Sequence, residues 1–251
     1  MTENQSLADA AERILVPIDT GDLNAALDMA QRVSEAGAGV KLGLEFYVAN
    51  GPGAANEVAG WTPLFLDLKF HDIPNTVAGA VWSAVTSTAP MILNVHASGG
   101  RAMMEAAVDA NKRAAKAAQI PPPMLIAVTV LTSLDEADLA AVGQQGSASD
   151  QAVRLALLAQ AAGCDGVVCS AHEIGAIRAA CGADFRLIVP GIRPNTAAAD
   201  DQKRVMTPGD AIRAGADYLV IGRPITQSED PTAATHAIAR EIADALADMA
   251  A

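Results

Sequence analysis

Short apolar runs alternate with amphipathic segments eight times along the 251 residues of the chain. The runs are typical of strands buried on both faces, and the segments between them carry apolar residues at helical spacing. The predicted strands are 14–18, 39–43, 64–70, 91–96, 124–131, 166–169, 185–189 and 218–221. Eight such repeats in a chain of about 250 residues predict an α/β fold of the (β/α)8 TIM-barrel class.

A doubly wound parallel sheet is the alternative fold. It would place a Gly-x-Gly-x-x-Gly turn after the first strand, where this chain has Asp19-Thr20-Gly21-Asp22. Pro17 is unexpected inside the first strand, because proline has no N–H to donate to a sheet. The sequence contains no linker or low-complexity tract, so we expect one domain over residues 1–251, with 1–12 as an N-terminal tail or short helix.

Composition excludes several classes of protein. With 51% hydrophobic and 18% charged residues the chain can bury a large core, and a net charge of −12 argues against a nucleic-acid partner. No apolar run approaches the length of a membrane span, and the N-terminus lacks a signal-peptide pattern, so we expect a cytoplasmic protein without a membrane partner. The three cysteines, Cys164, Cys169 and Cys181, predict reduced core thiols, because their number is odd and none forms Cys-x-x-Cys.

Charged residues cluster at the end of the third predicted strand. In strand geometry Asp67 and Lys69 share one face, and Asp72 follows in the turn. Buried charge is costly unless it is paired, so this group must neutralise itself or face a polar ligand. A purely structural ion-pair network is the alternative interpretation.

Other predicted strands also end in polar residues, and barrels of this class carry their chemistry at those ends. Loops after the seventh and eighth strands commonly bind phosphate in such barrels. Gly222 allows a phosphate to approach the backbone closely, and Arg223 can make a two-pronged contact with it. A structural turn explains both residues equally well. The long segment 190–206 has no predicted helix or strand, and its Arg193 and Gln202 could close over a bound anion. The polar strand-end residues are Asp19, Lys41, Asp67, Lys69, Asp72, His96, Thr132, Arg193 and Arg223.

Two histidines and one turn near these strand ends have simpler interpretations. His96 lies in no metal-ligand spacing, so it is interpreted as a hydrogen-bonded structural histidine, and His71 likewise. Ser98-Gly99-Gly100 could hold an anion at a helix N-terminus, but a plain turn is the favoured interpretation.

The segment Asp67-Leu68-Lys69-Phe70-His71-Asp72-Ile73-Pro74-Asn75-Thr76 resembles the signature of the orotidine 5'-phosphate decarboxylase family. Further similar motifs follow the same order along residues 13–240. They are Lys41-Leu42-Gly43, Asn94-Val95-His96-Ala97-Ser98-Gly99-Gly100, Ala127-Val128-Thr129-Val130-Leu131-Thr132-Ser133, Gly166-Val167-Val168-Cys169-Ser170, Pro190-Gly191-Ile192-Arg193-Pro194, Asp201-Gln202-Lys203-Arg204 and Val220-Ile221-Gly222-Arg223-Pro224.

The resemblance implies decarboxylation of orotidine 5'-monophosphate to uridine 5'-monophosphate in pyrimidine biosynthesis, without metal or organic cofactor. It implies that Lys69 protonates the carbon that loses carbon dioxide, within a charged network formed with Asp67, Asp72 and Lys41. It also implies a homodimer in which Asp72 reaches the neighbouring subunit's site.

The resemblance further implies a set of substrate contacts. Asp19, Lys41 and Thr76 are expected to contact the ribose or the charged network. Thr132 is expected on the pyrimidine side, and Gln202, Gly222 and Arg223 on the phosphate side. Arg193 belongs to a closing loop. Asp67, Ile73 and Ser133 are also expected to contact substrate. The first strand departs from the family pattern at Val16-Pro17-Ile18-Asp19, which puts the geometry of that strand in question.

Three other functions remain open at this point. Related barrels with a similar Asp-x-Lys-x-x-Asp use magnesium to decarboxylate or condense sugar phosphates. A barrel lysine can also form a Schiff base, although Asp67 so close to Lys69 favours an ammonium, which cannot attack a carbonyl. The third function is a phosphosugar-binding protein without catalysis.

Overall fold

The computed structural model describes residues 3–194 and 206–250, and its strands form a closed barrel in sequence order. Neighbouring strands pair in parallel, as between β1 and β2. The predicted (β/α)8 fold is confirmed, and the strand bounds agree with prediction to within about three residues. The strands are β1 (Ile14–Ile18), β2 (Gly39–Leu42), β3 (Leu64–Phe70), β4 (Ile92–His96), β5 (Met124–Val128), β6 (Gly166–Val168), β7 (Arg186–Pro190) and β8 (Tyr218–Val220).

Helices connect the strands, and the described residues contain eleven of them. The chain's first helix shows that the predicted N-terminal segment is helical, with Ala10 and Ala11 buried. The helices are α1 (Glu3–Ala11), α2 (Leu23–Glu35), α3 (Leu44–Ala59), α4 (Pro74–Thr88), α5 (Arg101–Ala118), α6 (Glu136–Ala141), α7 (Ala148–Ala161), α8 (Ile174–Cys181), α9 (Pro208–Ala214), α10 (Arg223–Thr226) and α11 (Pro231–Ala250). None of the described helices is long and apolar enough to cross a membrane.

The chain divides into two compact units. The first unit comprises residues 1–67 and 189–251, and in it α11 packs against α1, α2 and α9. The second unit comprises residues 68–188, and in it α4 packs along α5 while β4, β5, β6 and β7 pair in order. The expectation of a single domain stays a prediction.

Proline is tolerated in β1 because of where its missing N–H would point. The Leu15 carbonyl accepts a hydrogen bond from the Ile221 N–H at 3.1 Å, so Leu15 faces the β8 side of the strand. Pro17, two residues later, faces the same side, beyond the end of β8 at Val220. Proline at this position therefore removes no donor from the ladder with β8. Pro17 still pairs in register with Lys41 of β2.

Capping residues define the starts of several helices. α4 begins at Pro74, because proline at the first position already has a helical φ and needs no N–H there. α7 begins at Ala148, after Ser147, whose hydroxyl accepts from the Asp150 N–H. Asp22 accepts from the Asn24 N–H at the start of α2, and Asp230 accepts from the Ala233 N–H at the start of α11.

The three cysteines are free and buried, as predicted. Burial raises the pKa of Cys164 to about 12, with the nearby Asp165 carboxylate adding to the effect. Burial also raises the pKa of Cys169 and Cys181. All three thiols therefore remain protonated at neutral pH and serve as small core side chains.

Candidate active site

A buried ion pair lies at the strand ends of the first unit. The Lys41 Nζ lies 3.1 Å from the Asp67 Oδ2, and the two side chains are only 12% and 9% exposed. The same ammonium lies 3.7 Å from the Asp19 Oδ1, at the more exposed end of the group. Lys41 therefore bridges a buried carboxylate and an exposed one, and its charge compensates for the burial of Asp67.

A cavity of about 620 Å³ opens beside this ion pair. Five residues predicted from the sequence line it: Asp19, Lys41, Arg193, Gly222 and Arg223. The lining also includes Thr20 and Gln227, which sequence reasoning missed. Thr20 directly follows Asp19, so its place after β1 was the available signal, whereas nothing in the sequence singles out Gln227.

The phosphate-side residues belong to short backbone turns. Gly222 precedes α10, and a Cβ added there would lie 3.1 Å from the Pro17 Cγ, so glycine lets the two strand ends approach. The Arg193 N–H donates to the Met206 carbonyl at 3.2 Å, which joins the two described ends of the predicted loop. Gln202, also predicted for the phosphate side, lies outside the described residues.

In the second unit, Lys69 has an unusual backbone. Its φ of 49° lies in the left-handed region, although it is the penultimate residue of β3. Its N–H donates to the Asn94 Oδ1 at 2.7 Å. The strand alternation that placed Lys69 on the face of Asp67 assumes extended backbone, so their common face stays a prediction.

His71 and His96 stack near this position, with ring centroids 5.3 Å apart and an angle of 22° between the rings. The His96 Nδ1 lies 2.7 Å from the Ser98 Oγ and accepts from the Ser98 N–H at 3.3 Å. Burial lowers the pKa of His96, and the neighbouring His71 and Lys69 lower it further. His96 is thus a hydrogen-bonded histidine that favours its neutral form, and Ser98 lies within a single 3₁₀ turn over Ala97–Gly99.

The remaining predicted residues of this unit are exposed. Asp72 follows β3, and its Oδ1 accepts from the Ile73 N–H at 2.6 Å. Ile73 is 67% exposed, and Thr76 lies in the first turn of α4. Thr132 and Ser133 lie in the loop between β5 and α6. The sequence predicts no metal site. Within residues 3–194 and 206–250 no group of three or more histidine, cysteine or acidic residues is arranged to hold a metal ion.

Comparison with known proteins gives consistent matches over most of the chain. The model of the orotidine 5'-phosphate decarboxylase / HUMPS family matches residues 12–238. The orotidine 5'-phosphate decarboxylase of Rhodospirillum rubrum is 55% identical over 231 residues, which are 91% of this chain and 93% of that protein. The orotidine 5'-phosphate decarboxylase of Moorella thermoacetica is 52% identical over 235 residues, 93% of each chain.

Solved structures agree with the sequence comparison. The crystal structure of orotidine 5'-phosphate decarboxylase from Lactobacillus acidophilus superposes with a TM-score of 0.79 at 32% identity, over 92% of this chain and 99% of that one. A parallel barrel with charged residues and a cavity at its strand ends is the arrangement of a (β/α)8-barrel enzyme. The chain belongs to the orotidine 5'-phosphate decarboxylase / HUMPS family, as the sequence resemblance predicted.

The lowered pKa of His96 predicts a pH dependence of stability. The folded state keeps this ring neutral at a pH where the unfolded histidine, with a pKa of 6.5, takes up a proton. Stability should therefore fall as the pH drops through 6.5, until the folded state also protonates. Replacing His96 with Asn, whose side-chain oxygen can accept from Ser98, should reduce this loss in urea unfolding measured at pH 7.5 and 5.5.

The matched control is His236→Asn, which removes an exposed histidine from α11. We expect this control to keep the wild-type difference in unfolding free energy between the two pH values. An equal pH dependence in His96→Asn and wild type would contradict the assignment of this loss of stability to His96.

Proposed function

We propose that this chain decarboxylates orotidine 5'-monophosphate to uridine 5'-monophosphate, a step in pyrimidine biosynthesis. Family membership over residues 12–238 and relatives above 50% identity named orotidine 5'-phosphate decarboxylase support a carboxy-lyase. The observation that carries the proposal is the sequence Asp67-x-Lys69-x-x-Asp72 at the end of β3, with the Asp67 carboxylate held by Lys41 at 3.1 Å.

The chemistry requires stabilisation of a carbanion. When the bond between the ring carbon and the substrate carboxylate breaks, carbon dioxide leaves and the electron pair remains on the carbon. Without a cofactor as electron sink, fixed positive charge must stabilise that pair. We assign this role to the Lys69 ammonium, which then transfers its proton to the carbon as general acid.

The neighbouring charges prepare this lysine for its role. A carboxylate near an ammonium favours the charged form of both, and we assign this function to Asp67 and Asp72. Lys41 neutralises Asp67 and holds it in one orientation, because both side chains are largely buried. We assign a hydrogen bond with a ribose hydroxyl to Asp19, which is largely exposed and lies 3.7 Å from Lys41.

The remote parts of the substrate supply binding energy. The cavity lined by Gly222 and Arg223 has room for a phosphate, and the Arg223 guanidinium can donate two hydrogen bonds to it. Arg193 and Gln202 are assigned to the same phosphate side, where binding energy from the remote phosphate serves the chemical step. Ile73, Thr76, Thr132 and Ser133 are assigned to the ribose and pyrimidine side.

A homodimer is part of the proposal. Asp72 is exposed, as is the next residue, Ile73, at 67%, and Trp82 of α4 is 39% exposed. The support for the dimer is the resemblance of residues 67–76 to the family signature, and exposed apolar side chains just before α4 and on it are compatible with a covering partner. We infer that Asp72 completes the site of the second subunit. A cytoplasmic location and the absence of nucleic-acid and membrane partners stay predictions.

Activity of the purified protein tests the proposal. Loss of orotidine 5'-monophosphate should be visible as a decrease in its ultraviolet absorbance, with uridine 5'-monophosphate as product. The rate should be unchanged after exhaustive treatment with a chelator, because no step in this mechanism uses a metal. A rate that disappears on chelation and returns with magnesium would instead support the magnesium-dependent chemistry of related barrels.

Substitutions at two positions should separate chemistry from binding. Lys69→Ala removes the proton donor and should lower kcat by at least about 10³-fold. Arg223→Ala removes a phosphate contact far from the reacting carbon and should raise KM by about 10- to 100-fold, with a smaller effect on kcat. Steady-state kinetics measures both constants, and a Lys69→Ala enzyme with near wild-type kcat would remove Lys69 from its assigned role.

Mixing inactive variants tests the shared site. In a hybrid of Lys69→Ala and Asp72→Ala subunits, one site has both wild-type residues if Asp72 serves the partner. Random reassociation should then restore about one quarter of wild-type activity, because half the dimers are hybrids and each has one intact site. Mixing Lys69→Ala with Lys41→Ala is the control and should restore none, because Lys41 pairs with Asp67 of its own chain. No recovery in the first mixture would place Asp72 in its own subunit's site.

A further inference from the structure

Lys69 is exceptional among the described residues because of its backbone conformation. Three non-glycine residues among them have positive φ: Lys69, Ala89 and Gln119. Ala89 and Gln119 follow the ends of α4 and α5, where a left-handed residue is a common way to end a helix. Lys69 lies instead in β3, where φ is ordinarily close to −120°, so its conformation must be held by its surroundings.

The Asn94 side chain provides one such restraint. Its Oδ1 accepts the Lys69 N–H at 2.7 Å, which is a short hydrogen bond between neutral groups. Asn94 is completely buried in the middle of β4, whose neighbouring residues Leu93 and Val95 are also buried. A buried amide in such a strand is unfavourable unless it is hydrogen-bonded, so its presence requires a specific partner.

The acceptor is also rigid. Asn94 pairs in register with Ile126 of β5, in a ladder that continues from Ile92 to His96. Its short side chain has only two rotatable bonds, so the oxygen that receives the Lys69 N–H has little freedom. The orientation of the peptide between Leu68 and Lys69 is therefore restrained from β4.

This restraint affects the direction of the lysine side chain. With the N–H held by Asn94, the φ of 49° determines where the Lys69 Cβ lies relative to the strand. If the hydrogen bond is lost, the peptide can rotate and Lys69 can relax toward the extended conformation that other strand residues adopt. The ammonium at the end of the side chain would then move by more than the backbone does.

We propose that Asn94 is a positioning residue for Lys69: its buried amide oxygen holds the lysine backbone in the left-handed conformation that directs the ammonium at the reacting carbon. This inference rests on the proposed function of Lys69 as proton donor. A displacement of about 1 Å in a catalytic group can cost on the order of 100-fold in rate, so the hydrogen bond influences catalysis without contacting substrate.

A purely structural role makes a different prediction. If Asn94 only satisfies a buried N–H, its loss should lower stability and leave the chemical step unchanged. Asn111 offers a matched control in the same unit, because it is buried and its Nδ2 donates to the Pro123 carbonyl at 2.8 Å. This residue lies in α5 and takes no part in the proposed mechanism.

The experiment compares Asn94→Leu and Asn111→Leu, each of which replaces a buried amide with an apolar side chain of similar size. Both should lower Tm. Asn94→Leu should lower kcat and the single-turnover rate by about 10- to 100-fold, with KM and the Kd of uridine 5'-monophosphate changed by less than about 3-fold. Asn111→Leu should keep the wild-type rate. A folded Asn94→Leu enzyme with wild-type single-turnover rate, or one impaired only in KM, overturns the proposal.

Lys69→Ala, measured in parallel, separates this inference from the proposed function. Turnover retained by Lys69→Ala would contradict the proposed function. An inactive Lys69→Ala beside an unimpaired Asn94→Leu would contradict only the role of Asn94. If Asn94→Leu does not fold, amide hydrogen exchange of wild-type protein decides: a protected Lys69 amide supports the restraint, and exchange as fast as in an exposed loop overturns it.

Discussion

The contact between Lys41 and Asp67 compensates for a charge that the fold would otherwise bury at high cost. Asp67 is 9% exposed, so its carboxylate has lost most of its hydration, and the Lys41 ammonium 3.1 Å away replaces it. The two residues come from β2 and β3, whose parallel register brings Lys41 opposite Phe65, two residues before Asp67. The charge arrangement therefore depends on the pairing of these strands and on the apolar residues that bury them.

A second constraint acts on the backbone. Burial of β3 accounts for its apolar residues, but it does not account for Lys69 in a left-handed conformation. Such conformations persist where the surrounding structure restrains them, and Asn94 of β4 supplies a hydrogen bond from a completely buried position. Charge pairing in one unit and a backbone restraint in the other thus act on residues only two positions apart along β3.

The sequence predicts correctly those features of the fold whose signal is local. Apolar runs predicted all eight strands, because strands buried on both faces have few polar residues. Residues at the ends of those runs, four of them charged and one a glycine, were predicted to lie together and line one cavity, since the ends of parallel strands meet at one face of a barrel.

Chain order and residue type by themselves determined the barrel class, the family and the set of charged strand-end residues, because each depends on periodicity or on contiguous motifs. Tertiary structure alone decided which groups contact one another. Asn94 lies 25 positions from Lys69 and reads as part of an apolar strand, so its hydrogen bond to the lysine could not be predicted. The same holds for the stacking of His71 on His96 and for the compatibility of Pro17 with β1, which depends on where β8 ends. Such contacts arise from strand register and strand length in three dimensions, which local patterns do not specify.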